Sequence, residues 1–319
     1  MGASCGLNTP NYMVTALISH PDCRLHEMGP SHPECPQRTD AINDRLLAMR
    51  LLDVLAEHDA PNASDEQLLR VHTREYLEWL AKSVPETGLF NIDLDTKMNS
   101  KTLVAARRAA GAAVLATDLV MTGRAENAFC NVRPPGHHAS ANQSMGFCFY
   151  NNVAVGAAHA LAQHGIRRAA ILDFDVHHGN GTDVIFADEP RILVCSLFQK
   201  DLYPFSAGIG HTGAGVNVAL PAFSDSDDMR HAVTETWLPA LNAFKPEFVF
   251  VSAGFDAHAQ DDISDLRFSD GDFNWLSELT LSVAADHANG RLVSTLEGGY
   301  HLDALARCAA NHIRILAGV

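Results

Sequence analysis

The chain has no Cys-x-x-Cys pair, and its cysteine count is odd. Cys5, Cys23, Cys35, Cys130, Cys148, Cys195 and Cys308 are scattered, several of them in apolar runs. That argues against a disulfide framework and for reduced core or surface thiols in a cytosolic, cytoplasmic protein. No apolar segment reaches the roughly 18 residues that a membrane helix needs. No basic stretch followed by an apolar one opens the N-terminus, so no signal peptide is expected. Met1-Gly2 is followed by Gly6 where a myristoylation signal wants Ser or Thr. Positive charge is scarce, with 23 Lys and Arg against 38 Asp and Glu and a net charge of −15. Nucleic acid and anionic membrane surfaces are thereby disfavoured as direct partners. An acidic balance suits cationic substrates, although it more often serves solubility alone. Internal repeats, low-complexity tracts and Pro/Ser-rich linkers are also absent, so one domain over residues 1–319 is the simplest organisation.

What is present is an ordinary globular composition, 47% hydrophobic and 19% charged, with length enough for a generous core. Apolar runs of strand type occur at 14–18, 128–132, 169–172, 192–196, 248–252 and 292–296. Helical patterns alternate with them at 100–121, 152–163, 227–244, 270–287 and 302–316. Ser64 and Gln67 stand at capping-box spacing, Thr73 can cap the next helix, and Gly123 and Gly165 follow helical runs where a C-cap glycine belongs. Continuously apolar strands alternating with helices predict an α/β protein with three layers, α/β/α, around a mostly parallel sheet. Ligands bind such sheets at the carboxyl ends of their strands.

Four polar, glycine-containing stretches each follow one of these strands: Arg133-Pro-Pro-Gly-His-His138, Asp173–Gly181, Ser252-Ala-Gly-Phe-Asp256 and Glu297-Gly-Gly-Tyr300. They are expected to open on one edge of the sheet. With 17 histidines, roughly one adjacent pair is expected by chance. Two pairs, His137-His138 and His177-His178, each in a glycine-containing loop after a strand, ask for a reason. Asp175 and His177 have the spacing of a metal chelate on an extended segment, and Asp173 shares their face. A plain Asp–His hydrogen bond at a strand end fits the same spacing. Asp256 fits either a third ligand or a helix N-cap. Two carboxylates and one imidazole would leave zinc an open position, the pattern of a catalytic site. Tyr300 is either a core tyrosine or a phenol poised to donate to a developing oxyanion. The acidic clusters Asp225–Asp228 and Asp261-Asp262 read as a solvated loop or helix start.

Taken together, these stretches resemble the zinc-dependent histone deacetylase superfamily, on the arginase-deacetylase fold. The resemblance runs from His32-Pro33-Glu34 and Arg38 through Arg133–Ala139, Gly146-Phe147-Cys148, Asp173–Gly181 and Gly254-Phe255-Asp256 to Glu297–Tyr300. Asn180 and Glu297-Gly-Gly are similar to the class II branch and its bacterial relatives. The resemblance implies zinc on Asp175, His177 and Asp256, with His137 and His138 as a tandem catalytic pair. Asp173 would partner His137, and Asn180 would stand where some relatives carry an aspartate for His138. Tyr300 would polarise the substrate carbonyl. Gly146, Phe147, Tyr203 and Ile263 would line the substrate channel and its rim. Potassium is implied near Asp173, Asp175, His177, Ser196 and Leu197.

Three departures stand out. Phe198 replaces a common histidine, which points to an altered channel wall. Asp261-Asp262-Ile263 replaces Asp-Pro-Leu. Gly179 and His258 stand where arginases carry further aspartates, which argues against a two-manganese site.

The implied reaction is hydrolysis of acetyl or other short acyl groups from N-acylated lysine side chains. Zinc would acidify its water, the histidine pair would move protons, and Tyr300 would hold the oxyanion. Two rivals stand beside it: an acetylpolyamine deacetylase on the same scaffold, and an inactive acyl-lysine-binding module. The partners implied are acylated peptides or proteins, or acetylated polyamines, with self-association left open.

Overall fold

The computed structural model describes residues 14–205 and 215–319; Gly2, Cys5 and Gly6 lie outside the described residues. Eight parallel strands form one sheet: β1 (Ala16–Ser19), β2 (Ala56–Asp59), β5 (Asn127–Cys130), β6 (Ala169–Asp173), β7 (Ile192–Gln199), β8 (Val216–Leu220), β9 (Phe248–Ala253) and β10 (Leu292–Leu296). β3 (Phe90–Asn91) and β4 (Lys97–Met98) make a separate antiparallel pair. The helices are α1 (Gln37–Ala48), α2 (Asp65–Leu68), α3 (Arg74–Ser83), α4 (Thr102–Met121), α5 (Asn152–Gln163), α6 (Asn180–Ile185), α7 (Ser226–Phe244), α8 (Asp270–Ala288) and α9 (Leu302–Leu316).

Successive side chains of a strand point to opposite faces, and here both faces find a core. Ala169 and Ile171 of β6, with Phe248 and Phe250 of β9, pack among residues of α4 and α5. Their neighbours Ala170, Leu172, Val249 and Val251 pack on the other side, among residues of α1, α7, α8 and α9. Two buried faces explain why these strands are apolar throughout, as expected for a covered parallel sheet. The helix-end signals also hold. Ser64 and Gln67 close a capping box, Thr73 accepts from Tyr76 N, and Gly123 and Gly165 take left-handed φ of 68° and 65°. Asp225 caps α7 in a box with Asp228, so that acidic run is a helix start. Cys23, Cys130, Cys148, Cys195 and Cys308 are buried free thiols, and Cys35 is half-buried.

The strand order is β2-β1-β5-β10-β9-β6-β7-β8. The four strands that precede the four polar stretches, β5, β10, β9 and β6, are therefore consecutive at the centre of the sheet. Their loops leave from the same edge and meet one another, because parallel strands all present their carboxyl ends there.

Candidate active site

β6 runs one residue further than its apolar run suggests and ends on Asp173, in register with Ser252 of β9 and Ser196 of β7. This fixes the first carboxylate. Its Oδ1 accepts from Asp175 N at 3.1 Å, and its Oδ2 lies 3.0 Å from His137 Nδ1, which donates to it. Asp173 thus both holds the turn and partners the imidazole.

After the turn, three donor atoms converge. Asp175 Oδ1 lies 3.0 Å from His177 Nδ1, and Asp256 Oδ2 lies 3.2 Å from the same nitrogen. The carboxylates are oriented by main-chain N–H groups. Asp175 Oδ1 accepts from His177 N at 2.9 Å, Asp175 Oδ2 from Gly298 N at 2.8 Å, and Asp256 Oδ1 from Val176 N at 2.9 Å. Asp256 is therefore no helix N-cap. Its Oδ2 is buried without a hydrogen-bond partner. Burial, with the Asp175 charge beside it, pushes the Asp256 carboxyl up to about 6.

Such a pair of buried carboxylates is costly unless a cation offsets it. The ligand atoms of Asp175, His177 and Asp256 all lie within 4.8 Å of one another. At Gly298 there is no room for a side chain, since a Cβ would run into Asp256 Oδ2 and Asp175 Oδ2. Two carboxylates, one imidazole and an orphaned buried oxygen fit a divalent ion such as zinc.

The histidine pair stands beside this cluster. The rings of His137 and His138 are 4.1 Å apart between centroids. His138 Nδ1 lies 2.7 Å from Asn180 Oδ1, at the start of α6, so the nitrogen donates and the lone pair of the neutral ring sits on Nε2. Burial, then the neighbouring His137 and His177, hold the His138 imidazole well below its ordinary value. Burial acts the same way on His137. There Asp175 and Asp173 outweigh it and hold His137 well above.

A cavity of about 190 Å³ opens onto these groups, lined by His138, His177, Gly146, Phe147, Tyr203, Ile263, Tyr300, Asp95 and Leu202. All four expected channel residues are in that lining. Phe147 meets Tyr300 edge-on at 5.9 Å, and Tyr203 meets His138 edge-on at 5.2 Å. Gly146 has φ of 55°, and a Cβ there would strike His138. Phe198 lies outside this lining and packs against His178 with the rings tilted at 42° and 4.6 Å between centroids, so the altered wall expected of it is not found. At Gly179 a Cβ would collide with Asp173 Oδ2, and His258 is held by Asp270 at 2.8 Å.

Asp95, Leu202 and Asp261 are contributions that the sequence alone did not indicate. Asp95 follows an Asx turn in which Asp93 Oδ1 accepts from Asp95 N and Thr96 N, and the Asp93-x-Asp95-Thr96 spacing was its available signal. Asp261 Oδ2 accepts from Tyr300 N at 2.6 Å and His301 N at 3.0 Å, and so anchors the Tyr300 turn. Behind the site, Glu34 is buried against Arg133 and Arg38, with Arg133 Nη2 to Glu34 Oε2 at 2.6 Å and Arg38 Nη1 to Glu34 Oε1 at 3.2 Å.

A family model described as a histone deacetylase domain matches residues 32–316. A histone deacetylase-like amidohydrolase of Pseudomonas aeruginosa is 38% identical over 295 residues, which are 90% of this chain and 77% of that protein. The polyamine deacetylase HDAC10 of Homo sapiens is 34% identical over 328 residues, 96% of this chain and 48% of that protein. A crystal structure described as that of the HDA15 HD domain matches with a TM-score of 0.87 at 32% identity, covering 96% of this chain and 91% of the other.

Proposed function

This chain belongs to the histone deacetylase family, and from that premise we propose that it removes acetyl or other short acyl groups from N-acylated lysine side chains, with zinc on Asp175, His177 and Asp256. The observation that carries the reading is one cavity that opens onto His177 of that cluster, His138 of the histidine pair and Tyr300. Bound zinc would supply Lewis-acid polarisation and acidify water. The chain's own residues do the rest. Phe147 and Tyr203 offer apolar ring surface to the aliphatic stem of the substrate. His138, kept neutral with its lone pair on Nε2, takes the proton of the attacking water and returns it to the leaving amine. His137, held charged by Asp175 and Asp173 against its burial, supports the negative charge that develops in the transition state. Tyr300, whose hydroxyl is kept protonated by burial against the opposing pull of Arg38, donates to the oxyanion. The products are a short carboxylic acid and a free amine.

Potassium belongs to the same reading, on Asp173, Asp175, His177, Ser196 and Leu197. It is supported by the register of Asp173 with Ser196 and by Gly179 N lying 3.5 Å from Ser196 Oγ.

A second substrate class has its own support. Asp95 lines the cavity, and Asp261 and Asp262 line an adjoining one with Ile263 and Tyr300. This acidic mouth suits an acetylated polyamine, whereas the apolar Ile263 between them favours lysine. Comparing kcat/KM on acetyl-lysine peptides and acetylspermidine, with and without chelator, separates the two. No turnover of any acylated amine by zinc-loaded protein would leave a binding module as the surviving reading.

A further inference from the structure

Glu297 has no part in the chemistry above, yet its carboxyl is fully buried behind the histidine pair. Oε2 accepts from Gly136 N at 2.6 Å and from His137 N at 3.1 Å. Oε1 accepts from Ser252 Oγ at 3.4 Å. The main-chain carbonyl of Glu297 accepts from Arg38 Nη2. Arg38 Nε donates in turn to Gly299 O at 2.7 Å, and the guanidinium carbon lies 4.9 Å from the centre of the Tyr300 ring. Two lines therefore leave one residue. Its side chain runs to the loop that carries the histidines, and its main chain runs through Arg38 to the turn that carries Tyr300.

The need for such a link follows from the sheet. β5 and β10 are neighbours, and their register ends at Cys130 and Thr295. Beyond that pair the ladder no longer fixes one loop against the other. The proton acceptor lies eight residues past Cys130, and the oxyanion donor five past Thr295. A buried carboxyl is an expensive way to fill space. Its value lies in accepting two adjacent N–H groups that would otherwise be buried unpaired.

We propose that Glu297 is a positioning residue that sets the distance between the His137-His138 pair and the Tyr300 hydroxyl, by tying the histidine loop to the Tyr300 turn. The consequence for rate rests on the deacetylase reading; the tie itself does not.

The test uses the full-length zinc-loaded protein as Glu297→Ala and Glu297→Gln. It reads steady-state kinetics on an acetyl-lysine peptide and deuterium exchange at the amides of Gly136 and His137. A carboxamide oxygen can accept the same two N–H groups, with its NH2 donating to Ser252 Oγ. In the Ala variant we expect both amides to exchange faster, and kcat to fall about a hundredfold while KM moves less than about threefold. The Gln variant is expected to recover protection and to bring kcat back within about fivefold of wild type. Unchanged exchange or unchanged kcat in the Ala variant overturns the proposal. So does a Gln variant as slow as the Ala one with protection intact, since charge and not position would then be at work. Should the Ala variant fail to fold, the Gln variant decides: protection and kcat both kept support the tie, and loss of either overturns it. If the wild type cleaves no acylated amine, the deacetylase reading fails, while the exchange comparison still judges the tie.

Discussion

The cluster Asp175, His177 and Asp256 and the cluster Asp118, His159 and His164 are built from the same side-chain types, and each brings its ligand atoms within 4.8 Å of one another. They differ in closure. On the surface, between α4 and α5, Asp118 Oδ1 accepts from His159 Nε2 at 2.8 Å and from His164 Nε2 at 2.7 Å, while Arg70 donates to His159 Nδ1 at 2.7 Å. One carboxylate faces two donors, and Arg70 fixes the tautomer of His159. In the buried cluster two carboxylates face one nitrogen, and Asp256 Oδ2, 3.2 Å from it, is left without a hydrogen bond. The first arrangement is complete as it stands; the second needs a cation. Proximity of ligand types is thus a poor sign of a metal site. Incomplete hydrogen bonding under burial is a better one.

The widest separation between the two clusters is expected from carboxylate removal. Asp256→Ala should abolish both zinc retention, measured by elemental analysis after dialysis, and deacetylation. Asp118→Ala should keep the zinc stoichiometry and kcat of the wild type. Zinc lost equally from both variants would erase the distinction. Next in size, Tyr300→Phe should lower kcat by about 10²–10³ while zinc content stays that of the wild type, which separates metal binding from oxyanion stabilisation within the buried site. Near-normal turnover in that variant would remove Tyr300 from the mechanism.

Much of this site was legible in the chain, and for a physical reason. Parallel strands buried on both faces are uninterrupted apolar runs, so the polar stretches that end them stand out, and the strand-end rule places them together. Ser64, Thr73 and Gly123 act within one or two helical turns, so their roles could also be read locally. Other parts could not. β2 is an edge strand of sequence Ala-Glu-His-Asp with no apolar signal. α1 starts on Pro36 without a side-chain cap. Asp261 looked like a solvated acid, because the N–H groups it accepts from, Tyr300 and His301, lie about 40 residues further along the chain. Leu202 enters the cavity wall from outside the four loops. Such roles are tertiary and leave no periodicity.

Acid sharpens the contrast between closed and open polar groups. His26 and His312 are lowered to about 3 and His72 to about 4. Burial is the main cause in each, and Glu34 opposes it at His26. Each stays neutral in the fold while the unfolded chain takes a proton near its ordinary value. Stability from these groups is therefore full above about 6.5 and falls as the pH drops toward 3–4. Glu34 adds a later loss. Burial raises its carboxyl, but the Arg133 guanidinium outweighs that and holds it at about 2, so its contribution fades between about 4.5 and 2. Between pH 8 and 5 these three imidazoles contribute to urea unfolding a downward slope on the order of a few kcal/mol, which His177 and Glu297, raised in the fold to about 9 and about 7, oppose with the other sign. His312→Gln should flatten that slope, because one buried imidazole no longer titrates. A slope unchanged by this variant would mean His312 is not among the groups responsible.

The smallest effect is expected at the surface cluster itself. Burial raises the Asp118 carboxyl, and the hydrogen bonds from His159 and His164 more than reverse this, so it lies below its ordinary value in the fold. A depressed carboxylate contributes stability above its unfolded value and loses it as the pH falls through the folded one. The Asp118 side chain is 45% exposed, so solvent screens much of that contribution. His164→Ala should accordingly cost less than about 1 kcal/mol at neutral pH, and less again at high salt, since the group is within reach of counterions. The cost should also shrink at low pH, where Asp118 is protonated in both proteins. A loss that grew in acid, or one accompanied by falling zinc content, would show that this cluster acts as more than a staple between α4 and α5, and would erase the distinction drawn between a closed cluster and an open one.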